Sequence, residues 1–480
     1  MQNSGINSAS GPELLVELRR GVRRPLLAQL EESLREAVRS GRLAARTKLP
    51  PTRSLAGDLG VSRRLVVDAY AQLQAEGYLV ARHGAGTYVA EASATTSATD
   101  DEPQVHPATF DFFPGAPDLA NFPRQQWLRA LRETLSGMPY RDFAYPDPQG
   151  AQELRRVLAE HLRRVRGVVA DPMRIVVCSG IQQGLVLLAR ALGAPHVAME
   201  DPGLPHHARI LAAHGARLSA LPVDREGVRT VELARIEQEH GRLDAVFVTP
   251  AHQSPTGVAL AAGRRAALLE WAAGRGVVLE DDYDAEYRYD RAPLGALQGL
   301  APDRVVYMGT ASKTLAPALR LGWLVLPAHL VQPAVEQRRV ADHGAPMLDQ
   351  LTLARLIKSG AYDRHLRQAR RRYRARRDAL VAAVERHLPG ARVTGLAAGL
   401  HAIVRLGREV DGAALEEAAR RRSLAVYPLG SCFLRPRPLH DGLVLGYANL
   451  TEPAIDEGIG RLAAALRESD AGRAGLTSLQ

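Results

Sequence analysis

The chain has 480 residues, 46% of them hydrophobic, and a formal net charge of +10. That length exceeds one compact core, so two or three domains are expected. The two cysteines, Cys178 and Cys432, exclude a disulfide framework or a cysteine-rich metal site.

Two cysteines so far apart in sequence fit a reduced cytoplasm, and no apolar run reads as a signal peptide or is long enough to span a membrane. Residues 12–90 read as a helical head closed by a hairpin. From Arg24 to Val38, Leu26, Leu27, Leu30, Leu34 and Val38 share one helical face, and the segment stops at Gly41. A second helix opens after Pro50-Pro51, with Thr52 as the expected N-cap, and closes at Gly60. A third opens at Ser62. "LVARHGAGTYVA" then folds back about a glycine-rich turn. This order is that of a winged helix–turn–helix.

The head holds 13 basic against 8 acidic residues, whereas residues 91–108 hold four acids and no base and read as a flexible linker. A basic head on an acidic tether suits a polyanion. In a winged helix–turn–helix that polyanion is double-stranded DNA. Arg63 and Arg64 follow Ser62 at the start of the recognition helix, where helix dipole and guanidinium both favour phosphate or guanine. Arg53 starts the preceding helix, and His83 and Gly84 form the wing tip.

From Thr109 the texture changes. Short apolar runs ("RIVVCSG", "HVAME", "AVFVTP", "GVVLEDD", "RVVYMGT", "GWLVLP") alternate with helical stretches, the pattern of a mostly parallel α/β sheet. An arginine-rich helical stretch is expected from about Asp349 to His387, then a smaller α+β segment from about 385 to 468, then a disordered tail.

Of 62 basic residues only Lys48, Lys313 and Lys358 are lysines. Arginine cannot condense with an aldehyde, so amine chemistry has three side-chain candidates. Lys313 follows a strand end in "GTASKT", where ligands of α/β sheets collect. Thr310 and Ser312 place hydroxyls beside it, and Arg320 can meet a phosphate. Gly180, Ile181 and Gln182 open a helix after a strand and form an anion site. Asp281 and Tyr283 end another strand. A lysine, an acid for a ring nitrogen, a phenol for a ring oxygen and phosphate donors are what pyridoxal 5′-phosphate (PLP) requires. Asp282 is a second candidate for the acid.

The run "GRL…LPPTRSLAGDLGVSRRLVVDAYAQLQAEGYLVARHGAGTYV" resembles the GntR family of bacterial regulators, and the resemblance carries Arg53, Ser62, Arg63, Arg64 and Gly84 over as DNA contacts. "YPDPQG", "EDPG", "HQSPTG" and "ASKT" resemble fold-type I aminotransferases over the remaining 350 or so residues. A winged head on such a body resembles the MocR type of GntR regulators. The resemblance implies a large α/β domain with a smaller C-terminal domain spanning 109–468, and a homodimer, head-to-tail. It also implies PLP on Lys313 with Asp281 at the pyridine nitrogen and Tyr283 at the phenol, and Tyr145 reaching the phosphate in the opposite subunit. Ser254 stands where aminotransferases place a cofactor-bonding Asn.

Two departures bear on function. Aminotransferases grip the substrate carboxylate with an arginine just before an "LGF"-like strand. Here "GLVLGYANL" puts Val444 there, with Arg435 or Arg437 of "FLRPRPLHDG" as possible substitutes. Leu204 follows "EDPG" where amino-acid-binding relatives carry a Tyr. The expectation is a regulator and not an enzyme, with no catalytic residue assigned and transamination left open. A resemblance to PdxR-like members implies PLP as its effector in vitamin B6 control. The alternatives are an amino-acid-responsive regulator holding PLP as prosthetic group and a working aminotransferase. "RHLRQARRRYRARRDAL" reads as the solvated face of a linking helix, with a second DNA site as the alternative. His206 and His207 lack partners at metal-ligand spacing.

Overall fold

A computed structural model describes residues 18–21, 24–82, 85–90, 108–274, 276–289 and 294–477. The chain divides into two compact units, Met1–Val105 and His106–Gln480.

In the first unit, α1 (Leu26–Arg39), α2 (Thr52–Leu59) and α3 (Arg63–Ala75) pack around Leu30, Leu34, Leu55, Val66, Ala69 and Leu73. Gly60, at φ +62°, ends α2, and Ser62 Oγ accepts the Leu65 N–H at 3.3 Å to cap α3. The third helix thus opens at Ser62, as expected. Thr52 is not the N-cap of the second: it is the first helical residue, and Pro51, which cannot cap through its side chain, precedes it. β1 (Leu79–Arg82) and β2 (Gly86–Val89) pair antiparallel, with Arg82 opposite Gly86. The wing-tip residues His83 and Gly84, and the stretch 91–107, lie outside the described residues.

The second unit opens with β3 (Phe110–Asp111), α4 (Arg124–Gly137) and α5 (Gln152–Arg166). Its sheet follows: β4 (Ile175–Cys178), β5 (His196–Asp201), β6 (Arg217–Asp224), β7 (Gly227–Val228), β8 (Ala245–Val248), β9 (Val277–Asp282), β10 (Val305–Thr310) and β11 (Gly322–Val325). Helices α6 (Ile181–Ala191), α7 (Pro205–Ala213), α8 (Glu232–His240) and α9 (Ala262–Ala272) are interleaved. The strand order is β4-β11-β10-β9-β8-β5-β6-β7. All pairings are parallel except those of β11 and β7. The parallel strands are buried apolar runs such as Val305-Val306-Tyr307-Met308, and the loops after β4, β5, β8, β9 and β10 all leave from one edge.

Beyond α10 (Ala328–Asp342), the expected helical stretch consists of two helices, α11 (Met347–Lys358) and α12 (Ala361–His387). Gly360 at φ +70° breaks the run. β12 (Arg392–Thr394), β13 (His401–Asp411) and β15 (Leu439–Gly446) form an antiparallel sheet covered by α13 (Gly412–Arg420) and α14 (Glu452–Thr477), while β14 (Leu424–Ala425) pairs with β3. Phe110 and Phe112 are thereby buried in the C-terminal core with Leu380, Val404 and Ile459. α14 continues to Thr477, so the tail expected to be disordered from 468 is helical, up to the three residues outside the described set. Among the described residues no helix is long and apolar enough to cross a membrane.

Candidate functional site

On the head, Arg53, Ser62, Arg63 and Arg64 are all exposed, at the starts of α2 and α3. Arg64 lies 3.8 Å from Asp68 with its side chain 91% exposed, a contact too loose to restrain it.

In the second unit the strand-end loops surround a cavity of about 1720 Å³. Ile181, Gln182, Ser254, Asp281, Tyr283, Thr310, Ser312, Lys313 and Arg320 all line it. Lys313 lies so close to Gly115 that a Cβ there would stand 3.0 Å from Nζ. Burial holds its ammonium below the usual lysine range, opposed by Asp284 and Asp281. At the other end, Arg320 Nη2 donates to Ser179 O at 2.8 Å. Gly180, at φ +80°, makes room for it: a Cβ would meet that nitrogen at 2.8 Å. The Gly180 N–H turns back to Cys178 O at 2.9 Å. Ile181 and Gln182 therefore head α6, where first-turn N–H groups lack helical acceptors. Thr310 Oγ1 donates to Ser312 Oγ at 3.0 Å beside them. Arg320 and these donors form an anion cradle.

The two adjacent aspartates separate by strand alternation. Asp282 is closed off: Arg166 grips it at 2.7 and 3.0 Å, and Tyr307 Oη donates to it at 2.7 Å. Asp281 lines the cavity, and its Oδ1 has no hydrogen-bond partner. Burial, then Asp282 and Asp284, push its carboxyl up to about 8. A buried acid with an orphaned oxygen is what a protonated ring nitrogen would satisfy. His207 Nδ1 lies 3.6 Å from Asp281 Oδ2, and burial, with His206 and Lys313 nearby, pushes that imidazole down to about 3. His206 Nε2 is 2.8 Å from Gln182 Nε2. The donor set therefore fits PLP: an amine, an orphaned acid, a phenol and an anion cradle in one cavity.

Sequence reasoning missed the layer behind Tyr283. His252 and Asp284, both buried, pair at 3.0 Å. Tyr283 Oη donates to His252 O at 3.2 Å, and the His401 ring, on the cavity wall, lies 5.3 Å from that of His252, tilted by 47°. Adjacency of β8 and β9 joins His252 to Asp284, and β13 of the other sheet brings His401 to them, so no local signal could have revealed the group. Tyr145 does not line the cavity; it is 88% exposed, its ring 5.3 Å from that of His343. Val444 packs with Ile403 and Leu429 into an apolar wall, and Leu204 also lines the cavity. Arg435 and Arg437 line it too, with Arg437 3.7 Å above the Phe433 ring.

Comparison with known proteins agrees with both units. Residues 26–89 match bacterial regulatory proteins of the gntR family, and residues 115–462 match aminotransferase class I and II. The chain is 34% identical to the probable rhizopine catabolism regulatory protein MocR of Rhizobium meliloti, over 92% of this chain and 94% of that one. It is 33% identical to the HTH-type pyridoxine biosynthesis transcriptional regulator PdxR of Corynebacterium glutamicum, over 89% and 93%. Among solved structures, the α-aminoadipate aminotransferase LysN of Thermus thermophilus, complexed with N-(5′-phosphopyridoxyl)-L-leucine, superposes with a TM-score of 0.69 at 28% identity. That match covers 75% of this chain and 93% of LysN. A gntR-type head and an aminotransferase-like body, matched together along regulators of the same build, place this chain in the MocR type of GntR transcription regulators.

Proposed function

We propose that the protein is a PLP-dependent regulator that binds operator DNA as a homodimer in the cytoplasm, with PLP itself as the effector and vitamin B6 metabolism as its target. One observation carries the reading: Lys313, Asp281, Tyr283, Ser254 and Arg320 face one cavity, while the strand position that would clamp a substrate carboxylate is Val444, inside an apolar wall. Lys313 would hold the aldehyde carbon, Asp281 the ring nitrogen, Tyr283 and Ser254 the phenolic oxygen. Thr310, Ser312, Arg320 and the Gly180–Gln182 helix start would hold the phosphate. Bound there, PLP supplies an electrophilic carbon and an electron-withdrawing ring. The relatives named as regulators support sensing over turnover, and the PdxR relative supports the pathway.

Tyr140 (96% exposed), Phe143 and Tyr145 supply apolar surface suited to a second copy, head-to-tail, with Tyr145 reaching the partner's phosphate. Arg53, Ser62, Arg63 and Arg64, with His83 and Gly84 in the wing, would contact DNA. PLP acts by linkage: it must bind one arrangement of the dimer more tightly than the other. The test compares operator binding and footprint of the cofactor-free and PLP-loaded protein across salt concentrations. A difference in either supports the reading; identity in both rejects it.

A second reading, an amino-acid-responsive regulator, is favoured by Arg435 and Arg437 on the cavity wall, which could grip a carboxylate in place of the missing strand arginine. Single amino acids added to the PLP-loaded protein would then change its visible absorption.

A further inference from the structure

Residues 364–377 hold eight arginines and no acid. They do not form one solvated face. Arg370 donates to Glu286 O at 2.8 Å, Arg372 and Arg376 reach Asp118 at 3.5 and 3.0 Å, and Arg377 donates to Leu396 O at 3.0 Å. These arginines bind the helix to its domain. Arg364, Arg367 and Arg371 do something else. They are exposed at i, i+3 and i+7 and frame a shallow groove with Gln368. Among the described residues no carboxylate pairs with any of the three. Arg364 meets only the Ser359 carbonyl, at 3.4 Å, and the nearby Asp363 is taken by Arg164 at 2.7 Å.

Several other surface helices of this protein offset arginines locally. Arg129 meets Glu133, Arg235 meets Glu239, Arg421 meets Glu417 and Arg461 meets Glu457, each one turn away. Like charges one turn apart cost a helix a few tenths of a kcal/mol each, so the α12 stripe carries a cost that no internal partner offsets. Arg364 to Arg371 spans about 10 Å of helix, a length over which one strand of B-DNA presents about three phosphates. The guanidinium fork matches phosphate oxygens better than any other side chain.

We propose that Arg364, Arg367 and Arg371 form a second, sequence-independent contact to double-stranded DNA, through its phosphates and separate from the winged head. The test uses the full-length PLP-loaded protein and a random-sequence duplex of about 40 base pairs, with affinity measured over a salt series. Neutralising three phosphates contributes about 2–3 units to the slope of log K against log salt. The variant carrying R364A, R367A and R371A should lose that much slope and bind at least tenfold more weakly at low salt, with melting temperature and visible absorption unchanged. The triple lysine variant should restore the slope, because it keeps the charge. An unchanged slope in the alanine variant overturns the proposal, as does failure of the lysine variant to restore it. A changed oligomeric mass with an unchanged slope would assign the stripe to a second copy of the chain instead.

Discussion

Asp281 and Asp282 are neighbours on one strand, yet Arg166 and Tyr307 hold Asp282 through three hydrogen bonds while Asp281 Oδ1 has none. The first is a strut of the fold and the second an open acceptor. Replacing each by asparagine should separate the roles. Asp282→Asn leaves Arg166 buried without its counter-charge and should destabilise the protein by about 3–5 kcal/mol. Asp281→Asn should raise cofactor-free stability at neutral pH, because a neutral amide avoids the proton uptake that the buried carboxyl requires, and should weaken PLP retention on dialysis. Urea unfolding and visible absorption of both variants check this; equal destabilisation by the two would contradict it.

The same aspartate predicts a pH dependence. Its folded value of about 8 lies above its ordinary value of 3.8, so between those limits the folded state holds a proton that the unfolded state has released. The stability is present below the lower limit and lost as pH rises through the upper one. Glu286, raised to about 8, and Glu200 and Glu280, raised to about 7 by burial, act in the same direction. Cofactor-free protein should therefore lose stability from about pH 5 to about pH 8. Asp281→Asn should flatten the slope by up to about 1.4 kcal/mol per pH unit. Denaturant melts at a series of pH values measure it, and identical slopes would count against the proposed state of Asp281.

Lys313→Ala should abolish the visible absorption of protein-bound PLP after dialysis and leave the fold intact. Borohydride fixation followed by peptide mapping identifies the attachment point. Label on Lys48 or Lys358, the other two lysines, would refute the assignment.

The head should respond separately. Arg53→Ala combined with Arg63→Ala should lower the salt slope of operator binding by about two units, one per lost phosphate contact. Ser62→Ala removes the bond to the Leu65 N–H and should cost about 1 kcal/mol of head stability. Unchanged operator affinity in the arginine variant would remove those residues from the interface.

The cofactor side of the cavity was legible in sequence because each group stands at or just past a strand's end: Asp281 is next to last in β9, and Lys313 and Ser179-Gly180 follow β10 and β4. The head was legible because Gly60 and Ser62 bracket the turn between α2 and α3. What needs tertiary contact was not. The His252–Asp284 pair exists only because β8 and β9 are adjacent, and β3 is two residues long, its pairing with β14 invisible to periodicity. The break at Gly360 did carry a signal, Ser359-Gly360 inside a helical run, which the density of arginines on either side masked. Helical periodicity also could not divide those arginines between inward struts and an outward stripe.

The central claim, that PLP occupancy and DNA binding are coupled, is tested most directly by measuring PLP affinity in the presence and absence of saturating operator DNA, alongside operator affinity with and without PLP. Linkage requires the two ratios to be equal, and the account predicts that they are equal and differ from one by about fivefold or more. PLP affinity unaffected by saturating operator would contradict it.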